Sequence, residues 1–431
     1  MRALRVLCIA IIGLAVIEFL VATIGYQIVR MPASTDLATY YLAGEQAREG
    51  LSPYDEAALA RRGRDLGFGF AQYPFLYPPP FALAMVPLAQ LSYPQARQVW
   101  MVIATVALLA ALAITAALLR AQSRQLGIAN PWLAWLVFTA FVPVALNSTS
   151  VHNDIRAGSV GCLLFLASAA IAWGLTVQRQ WVSGAALALA TSVKLTPIVA
   201  IPYAAWRGSW RAAIFASFLL AVSLGAALAY WGWDIAPTYV RDALLPALGR
   251  EFPRPMNQSL DAVLARLLVT NDEVRAFAHL PWLKQTLSFL GGLAIVTLTL
   301  RTLLQPRRRA LLAVEYGTVT LALLLVMKIT WVHTFAAMLF VWPCAMIAIV
   351  SAAERGAPWA VRTGLWACAG FFLSSAHFPI LWQGFRAGPQ SLLVNVHVVG
   401  LVILWLVSRK ILAHQHDVVG DQFASTDSAG V

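Results

Sequence analysis

One carboxylate, Asp36, stands a few residues beyond the first long apolar block of the chain, which covers residues 5–29. An apolar block of that length can cross a bilayer as a helix. Asp36 is therefore predicted to lie near the outer membrane surface, where a carboxylate can meet both lipid-borne and aqueous substrates. The same residue would also serve as the N-cap of a helix that begins at Leu37, and the two roles are compatible.

Two candidate cationic groups fall in or beside other apolar blocks. Lys194 lies deep within the block of residues 182–206, where a cation costs about 2.5–3.5 kcal/mol on insertion scales and usually marks a functional site. The alternative is that its long side chain reaches to the interface. His333 opens an apolar block close to Lys328, and a histidine at such a helix end can be purely structural.

Further polar candidates interrupt the apolar pattern. Arg156 follows Asn153 and Asp154 between two apolar blocks, where an ordinary polar loop with an Asp154–Arg156 pair is an equal explanation. Arg254 precedes Asn257 and Gln258. Amide side chains offer both hydrogen-bond donors and acceptors, which hydroxyl-rich substrates require. A plain helix start explains this stretch equally well.

The elements that must position these residues are membrane helices. The chain of 431 residues is 60% hydrophobic and 12% charged, whereas soluble domains are about 25% charged, so a soluble core is excluded. We predict an all-α polytopic bundle with about 11 to 13 transmembrane helices. The simple apolar blocks are residues 5–29, 99–119, 131–146, 160–175, 211–233, 283–303, 310–330, 335–351, 359–375 and 392–407, and residues 78–91 and 182–206 are less regular.

The net charge of +12 belongs to short Lys/Arg clusters at the ends of these blocks. This pattern follows the positive-inside rule and argues against nucleic-acid binding. It predicts a multi-pass protein of the cell membrane with both termini in the cytoplasm and with residues 30–72 and 234–281 outside. Pro197 interrupts residues 182–206, which have basic residues at both ends, so this block is predicted to be a broken hairpin that returns to the cytoplasmic side.

The chain is interpreted as one transmembrane domain, residues 1–412, followed by a polar cytoplasmic tail, residues 413–431, which its composition predicts to be disordered. The apolar part of the N-terminal segment is longer than that of a signal peptide, so we expect a retained helix. The four cysteines lie in apolar blocks without metal-ligand spacing, which indicates packing roles. We expect no obligatory metal and no nucleotide cofactor, since the sequence has no phosphate-binding glycine loop.

Several short motifs, taken in order, resemble glycosyltransferase family 87, which belongs to the GT-C superfamily of membrane enzymes that use polyprenyl-phosphate sugars. Together they span most of the chain. The matching elements are Asp36 with Tyr40, Gly50, Pro53 and Tyr54; the aromatic stretch that ends at Pro79; Asn153, Arg156 and Gly158; Lys194 and Pro197; Asn257 to Leu260 with Arg266; and Trp331 with His333.

The resemblance implies a hexosyltransferase in which Asp36 is the catalytic base and the donor is a polyprenyl-monophosphate sugar, typically mannose. A lipid or a glycan would be the acceptor. Tyr40 and Tyr54 belong to the implied substrate-binding set. The family pattern has Gly-Gln-x-Asn where this chain has Gly158, Ser159, Val160 and Gly161, so the donor or the acceptor can differ.

This chemistry also suits the residues themselves. A positioned carboxylate that accepts the proton of a sugar hydroxyl contributes about 10²–10⁴ in rate, and one carboxylate suffices for a single inverting displacement. A leaving lipid phosphate needs cationic or donor partners, for which Arg156, Lys194, His333 and Arg254 are the candidates. The alternatives are a lipid or solute transporter, which predicts internal repeats and mid-membrane carboxylates, and a noncatalytic scaffold, which would not need Asp36.

Overall fold

The structure, a computed structural model, describes residues 2–30, 35–68, 74–130, 132–270, 275–306, 308–377 and 393–419. Within these ranges the chain is mainly helical, and an isolated backbone bridge pairs Asn257 with Trp331. The all-α class predicted from the apolar blocks is confirmed.

The helices of the first half contain both long apolar elements and short polar ones. They are α1 (Arg2–Glu18), α2 (Tyr26–Arg30), α3 (Thr35–Arg48), α4 (Glu56–Asp65), α5 (Pro79–Met85), α6 (Tyr93–Gln125), α7 (Trp132–Leu146), α8 (Thr149–Ala157), α9 (Gly161–Thr176), α10 (Gln180–Val193), α11 (Ala200–Trp206) and α12 (Trp210–Trp231). A π-helical segment, Phe19–Gly25, joins α1 to α2 without a break.

The second half continues the same pattern after a polar stretch. Its helices are α13 (Ile235–Thr238), α14 (Leu245–Gly249), α15 (Leu260–Leu268), α16 (Pro281–Leu303), α17 (Leu312–Val326), α18 (Val341–Glu354) and α19 (Ala360–Ser375), followed by the C-terminal helices Val396–Ala413 and Gln415–Val419. The π-helical turn Tyr239–Leu244 links α13 to α14, and the 3₁₀ segment Val332–Met338 precedes α18.

Six described helices are long and apolar enough to cross a membrane, or up to eight if two bent helix pairs each count as one span. This total is below the predicted 11 to 13, because several predicted blocks form helices of 14 to 16 residues, such as α9, α10 and α19. A full span needs about 20 residues. The six are Ala3–Val29, Tyr93–Gln125, Trp210–Trp231, Pro281–Leu303, Arg309–Val326 and Leu393–Ala413.

The broken hairpin predicted for residues 182–206 is present. Helix α10 ends before Lys194, a 3₁₀ turn, Thr196–Val199, follows, and α11 leads back toward the start of α12. The Arg211 amide at the start of α12 donates to Gln180 Oε1 at the start of α10 (3.1 Å), and Ser192 contacts Ser223 farther along (3.3 Å). Since α10 and α12 thus run parallel, both ends of the hairpin lie at one level and Lys194 lies at its tip.

Part of the predicted tail is ordered. Residues 415–419 form a helix in which Val418 and Val419 are buried, and the Arg355 guanidinium donates to the carbonyl of Val418 (2.5 Å) and to that of Leu126 (2.8 Å). The disorder prediction was wrong for residues 415–419, because the Arg355 guanidinium binds the Val418 carbonyl and holds this short helix against the other helices. Residues 420–431 lie outside the described residues.

Candidate functional site

The site begins with Asp36, which lies in the first turn of α3, one residue after the helix starts at Thr35. The N-cap interpretation, which placed the helix start at Leu37, was therefore wrong. Side-chain hydrogen bonds from Ser159 and Thr35 reach the Asp36 carboxylate. The Asp36 side chain is 19% exposed, so it is largely enclosed by protein.

Two of the predicted cationic groups meet Asp36. His333 Nε2 lies 3.6 Å from Asp36 Oδ2, and Lys194, at the tip of the hairpin, faces the same carboxylate as a nearby positive charge. Lys194 Nζ also donates to Thr334 Oγ1 (3.3 Å). The fold thus brings Asp36, Lys194 and His333 together from three distant parts of the sequence, with Ser159 as the fourth member of the cluster.

Ser159 is positioned by a turn that Asp154 holds. Helix α8 ends at Gly158, whose φ of 66° is the left-handed conformation that glycine adopts without strain. The Asp154 carboxylate then accepts hydrogen bonds from the amides of Gly161 (2.6 Å) and Cys162 (2.8 Å). The predicted pairing of Asp154 with Arg156 was wrong, because this carboxylate caps the start of α9 instead.

Gly161 allows the turn to approach the segment that carries His333. A Cβ at this position would lie 2.5 Å from the His333 carbonyl oxygen and 2.6 Å from Asp154 Oδ1, closer than packed atoms allow. Any larger residue would have to displace one of these neighbours. The glycine that departs from the family pattern is therefore a contact point between the two halves of the site.

An aromatic wall stands beside the carboxylate. Tyr40, one helical turn after Asp36, forms a 2.6 Å hydrogen bond with Tyr77 Oη and lies 3.5 Å from Ser159 Oγ. Tyr54 Oη donates to the Tyr77 carbonyl (3.0 Å). All of these side chains are largely buried, so Tyr40 borders the cluster while Tyr54 reaches it only through Tyr77.

Asn257 and Gln258 occupy a different position from the one expected of substrate ligands. Both are completely buried. Asn257 donates to the Lys328 carbonyl (3.1 Å) and accepts from the Thr330 amide (2.8 Å), while the Gln258 side chain binds the Val394 carbonyl (2.8 Å). Their amide groups therefore fix the backbone that leads into His333 and present no surface to a substrate.

The two remaining arginine candidates are not brought into the cluster by any described contact. Arg156 is exposed on α8, and Arg254 is partly buried, with its carbonyl accepting a hydrogen bond from Arg266. Arg266, fully buried, donates to carbonyls of this stretch and to Asn395 Oδ1 (3.1 Å). It holds the loop that carries Arg254 and Asn257.

The electrostatics of Asp36 suit a base. Burial raises the pKa of the Asp36 carboxyl to about 6, although the hydrogen bond from Ser159 and the positive charge of Lys194 partly oppose this increase. A carboxyl with such a pKa is ionised near neutral pH and accepts a proton more readily than an ordinary aspartate.

Sequence reasoning did not assign Ser159, Asp154, Thr334 or Tyr77 to the site. The polar interruption at residues 153–156 was explained equally well by an ordinary polar loop, and the partners of Asp154 depend on a chain reversal that residue spacing does not reveal. Within the described ranges, no three His, Cys, Asp or Glu side chains are grouped so that they could hold a metal ion.

Comparison with known proteins identifies the family to which the chain is similar. The sequence profile of glycosyltransferase family 87 matches residues 75–327. The chain is 28% identical over 220 residues to a polyprenol-phosphate-mannose-dependent alpha-(1-2)-phosphatidylinositol pentamannoside mannosyltransferase of Mycobacterium tuberculosis, covering 49% of this chain and 48% of the relative.

Two phosphatidylinositol mannoside mannosyltransferases, also named as polyprenol-phosphate-mannose-dependent and alpha-(1-2), match similarly. That of Mycolicibacterium smegmatis is 27% identical over 42% of this chain and 40% of the relative, and that of M. tuberculosis is 28% identical over 62% and 60%. The chain thus spans about half the length of the curated relatives it matches. No solved structure matches the chain.

Proposed function

The chain belongs to glycosyltransferase family 87, and on that premise we propose that it transfers a hexose, mannose in the first instance, from a polyprenyl-phosphate donor to a lipid or glycan acceptor. The observation that carries the proposal is the cluster in which His333 lies 3.6 Å from Asp36 while Lys194 faces the same carboxylate. The names of the relatives support the choice of donor. Family membership disfavours the transporter alternative.

In the proposed reaction, Asp36 is the general base. The acceptor hydroxyl oxygen attacks the anomeric carbon, the bond from that carbon to the phosphate oxygen breaks, and the hydroxyl proton passes to the Asp36 carboxylate. The anomeric configuration inverts, because a single displacement with one carboxylate needs no covalent intermediate. Although burial raises the pKa of the Asp36 carboxyl to about 6, the group is still mostly ionised at neutral pH, and the raised pKa makes it a better proton acceptor than an ordinary aspartate.

Lys194 and His333 are proposed to bind the phosphate that leaves. Negative charge develops on the phosphate oxygens as the bond breaks, and preorganised cations or donors stabilise that charge most where water is excluded. Lys194 supplies an ammonium group with three donors, and its bond to Thr334 keeps it beside the carboxylate. Polyprenyl phosphate is the second product.

We propose further that the reaction takes place at the outer side of the cell membrane. With the N-terminus in the cytoplasm, the hairpin enters from the cytoplasmic side, and the 14 residues of α10 carry Lys194 about 21 Å into the bilayer, at about 1.5 Å per residue. The cluster then lies nearer the outer surface of a hydrocarbon core about 30 Å thick. A lipid-borne donor can reach it there from the membrane.

The direct test uses purified full-length protein with polyprenyl-phosphate [³H]mannose and candidate acceptors that carry terminal α-mannose. Transfer of label, with the opposite anomeric configuration in the product, is expected. Label that stays on the donor with every mannoside and glycolipid acceptor, in a preparation whose folding is verified, would refute the proposal.

A further inference from the structure

Two arginines lie side by side at one end of the helix bundle. Arg301 is in the last turn of α16, and Arg409 is near the end of the C-terminal helix of residues 396–413. The positive charge of Arg301 acts on the Arg409 guanidinium. Two like charges that are held together repel each other, so this arrangement costs free energy unless an anion balances them.

The Arg409 guanidinium has a fixed orientation. Its Nε donates to Thr302 Oγ1 of α16 (3.1 Å), and its Cζ lies 4.7 Å from the centre of the Trp405 ring. Trp405 Nε1 donates to Thr299 Oγ1 (3.0 Å), so the two helices run parallel. Within the described residues, the two terminal amino groups of Arg409 donate no hydrogen bond. They therefore present the planar fork that binds a phosphate with two hydrogen bonds.

Among the described residues, no carboxylate pairs with Arg301 or Arg409. Two other arginines at this end of the bundle are compensated within the protein. Arg207 pairs with the buried carboxylate of Glu315, and Arg355 donates to two backbone carbonyls. The pair formed by Arg301 and Arg409 is thus a local excess of positive charge that an external anion would balance.

An apolar row leads up to each of the two arginines. On α16 the row consists of Ala294 and Leu298, and on the C-terminal helix it consists of Val402 and Leu406. In both helices the two apolar positions and the arginine are separated by four and three residues, a spacing that places them on one helix face. Ala294, Val402 and Leu406 are exposed, and Leu298 is partly buried. Two acyl chains therefore fit along the two rows, with one phosphate at the arginine end.

The arginine pair is remote from the proposed reaction. Lys284 at the start of α16 pairs with Glu251 (2.9 Å), and the same carboxylate lies 3.9 Å from Lys328, in the segment that leads to His333. Arg301 lies 17 residues after Lys284 in the same helix, which is about 25 Å at about 1.5 Å per residue. A lipid bound at the arginine pair is therefore distinct from the reacting donor.

We propose that the arginine pair, together with the two apolar rows, binds one acidic phospholipid of the surrounding bilayer. The two rows match the two acyl chains of a phospholipid, whereas a polyprenyl phosphate has a single chain. With the proposed topology, the site lies in the cytoplasmic leaflet, whose acidic lipids bind basic pockets between membrane helices. The bound phosphate would remove the repulsion between the two guanidinium groups and join the ends of the two helices.

The test measures lipid binding to purified, delipidated full-length protein by native mass spectrometry, with dioleoyl phosphatidylglycerol and dioleoyl phosphatidylcholine as probes. The wild type should bind one phosphatidylglycerol more tightly than phosphatidylcholine. Arg301→Gln combined with Arg409→Gln should weaken phosphatidylglycerol binding by about thirtyfold, since each basic residue contributes to the attraction of an anionic lipid. Arg211→Gln combined with Arg362→Gln removes the same charge at exposed positions of the same end. This matched control should bind like the wild type.

A second variant replaces the external anion by one from the protein. In Arg301→Glu the new carboxylate lies beside Arg409, so the preference for phosphatidylglycerol should disappear. The unfolding temperature in neutral detergent should rise above that of the wild type, because an ion pair replaces a repulsive pair. Arg301 is exposed, so this variant serves as the test even if the double variant does not fold.

Equal binding of the two lipids by the wild type, or equal losses in the double variant and its control, would overturn the site. Displacement of phosphatidylglycerol by an equimolar amount of inorganic phosphate would show that the arginines recognise a free anion. Displacement by equimolar polyprenyl phosphate would make the single-chain lipid the occupant, and either result would overturn the acidic phospholipid. No glycosyl transfer is measured, so the outcome is independent of the proposed reaction.

Discussion

His333 Nε2 lies 3.6 Å from Asp36 Oδ2, although the two residues come from opposite halves of the chain. Two independent sets of contacts hold this pair. Asn257 fixes the backbone before His333 through Thr330 (2.8 Å), and Ser159 hydrogen-bonds Asp36 from a turn that Asp154 caps. The carboxylate and the imidazole are therefore positioned before any substrate binds, as a preorganised site requires.

Replacement of Asp36 by asparagine should abolish transfer while the protein stays folded. The amide has nearly the same shape but cannot accept the proton, so kcat is expected to fall by about 10²–10⁴. Product formation and thermal unfolding should be measured on one preparation. Asp65→Asn, at an exposed position at the end of α4, is the matched control. Turnover near that of the wild type in Asp36→Asn would eliminate Asp36 as the base.

The rate should depend on pH through Asp36. Because burial raises the pKa of this carboxyl to about 6 and only the ionised form accepts a proton, kcat/KM should rise as pH increases through about 6. The donor phosphate is a diester and does not titrate there.

Ser159→Ala removes a hydrogen bond that lowers the pKa of Asp36, so the midpoint of the same profile should move to higher pH. A flat pH profile in the wild type between pH 5 and pH 8 would contradict Asp36 as the base. If Ser159→Ala leaves the midpoint unchanged, Ser159 does not set the pKa of Asp36.

The sequence predicted those features that depend on local composition. The apolar blocks predicted the all-α membrane class, and Pro197 between basic flanks predicted the broken hairpin that carries Lys194. The resemblance to the family selected Asp36 and His333 as candidates. These inferences need no knowledge of which helices are neighbours.

The sequence could not predict which partners the polar side chains choose. An amide suits a sugar hydroxyl and a backbone carbonyl equally well, and only the tertiary fold shows that Asn257 and Gln258 bind backbone groups. Asp154 likewise had Arg156 as a plausible neighbour, but it caps α9 after a chain reversal. The described residues contain fewer helices of full spanning length than the 11 to 13 predicted spans, because a hairpin and short helices have the same composition as full crossings.

The topology predicts that residues 30–72 and 234–281 face outward. Single cysteines at Asp65 and Thr270, which are exposed in the structure, should react with a membrane-impermeant maleimide in intact cells. Gln72, at the end of the first segment, lies outside the described residues and is not used. Cys368 is exposed and should first be replaced by serine. If both introduced cysteines react only after the cells are permeabilised, the two segments face the cytoplasm. The orientation and the proposed side of the reaction would then both be wrong.

Gly161→Ala should harm both stability and activity. The added Cβ would lie 2.5 Å from the His333 carbonyl oxygen, and overpacking of this kind typically costs about 1–3 kcal/mol. Since the displaced segment carries His333, transfer should fall more than the loss of folded protein explains. Gly225→Ala in α12, where no atom lies within 4 Å of the new Cβ, should leave both unchanged. Wild-type stability and activity in Gly161→Ala would contradict the close packing of the two halves.

The last prediction separates a substrate-binding lysine from a structural one. Lys194 donates to the Thr334 hydroxyl and faces Asp36, whereas Lys284 is buried between the carboxylates of Glu251 (2.9 Å) and Asp261 (2.6 Å). If Lys194 binds the donor phosphate, Lys194→Met should weaken donor binding strongly and alter the unfolding temperature little. Lys284→Met leaves the Asp261 carboxylate without this cation, while Glu251 keeps Lys328 at 3.9 Å.

The loss of a buried ion-pair partner typically costs about 3–5 kcal/mol, so Lys284→Met should lower the unfolding temperature. The Lys284→Met protein that remains folded should bind the donor with the affinity of the wild type. Donor affinity and thermal unfolding should therefore be measured on the same preparation of each variant. Normal donor affinity in a well-folded Lys194→Met protein would remove Lys194 from the phosphate site and leave His333 as the remaining group beside Asp36. A fall in stability as large as that of Lys284→Met would instead make Lys194 a structural residue.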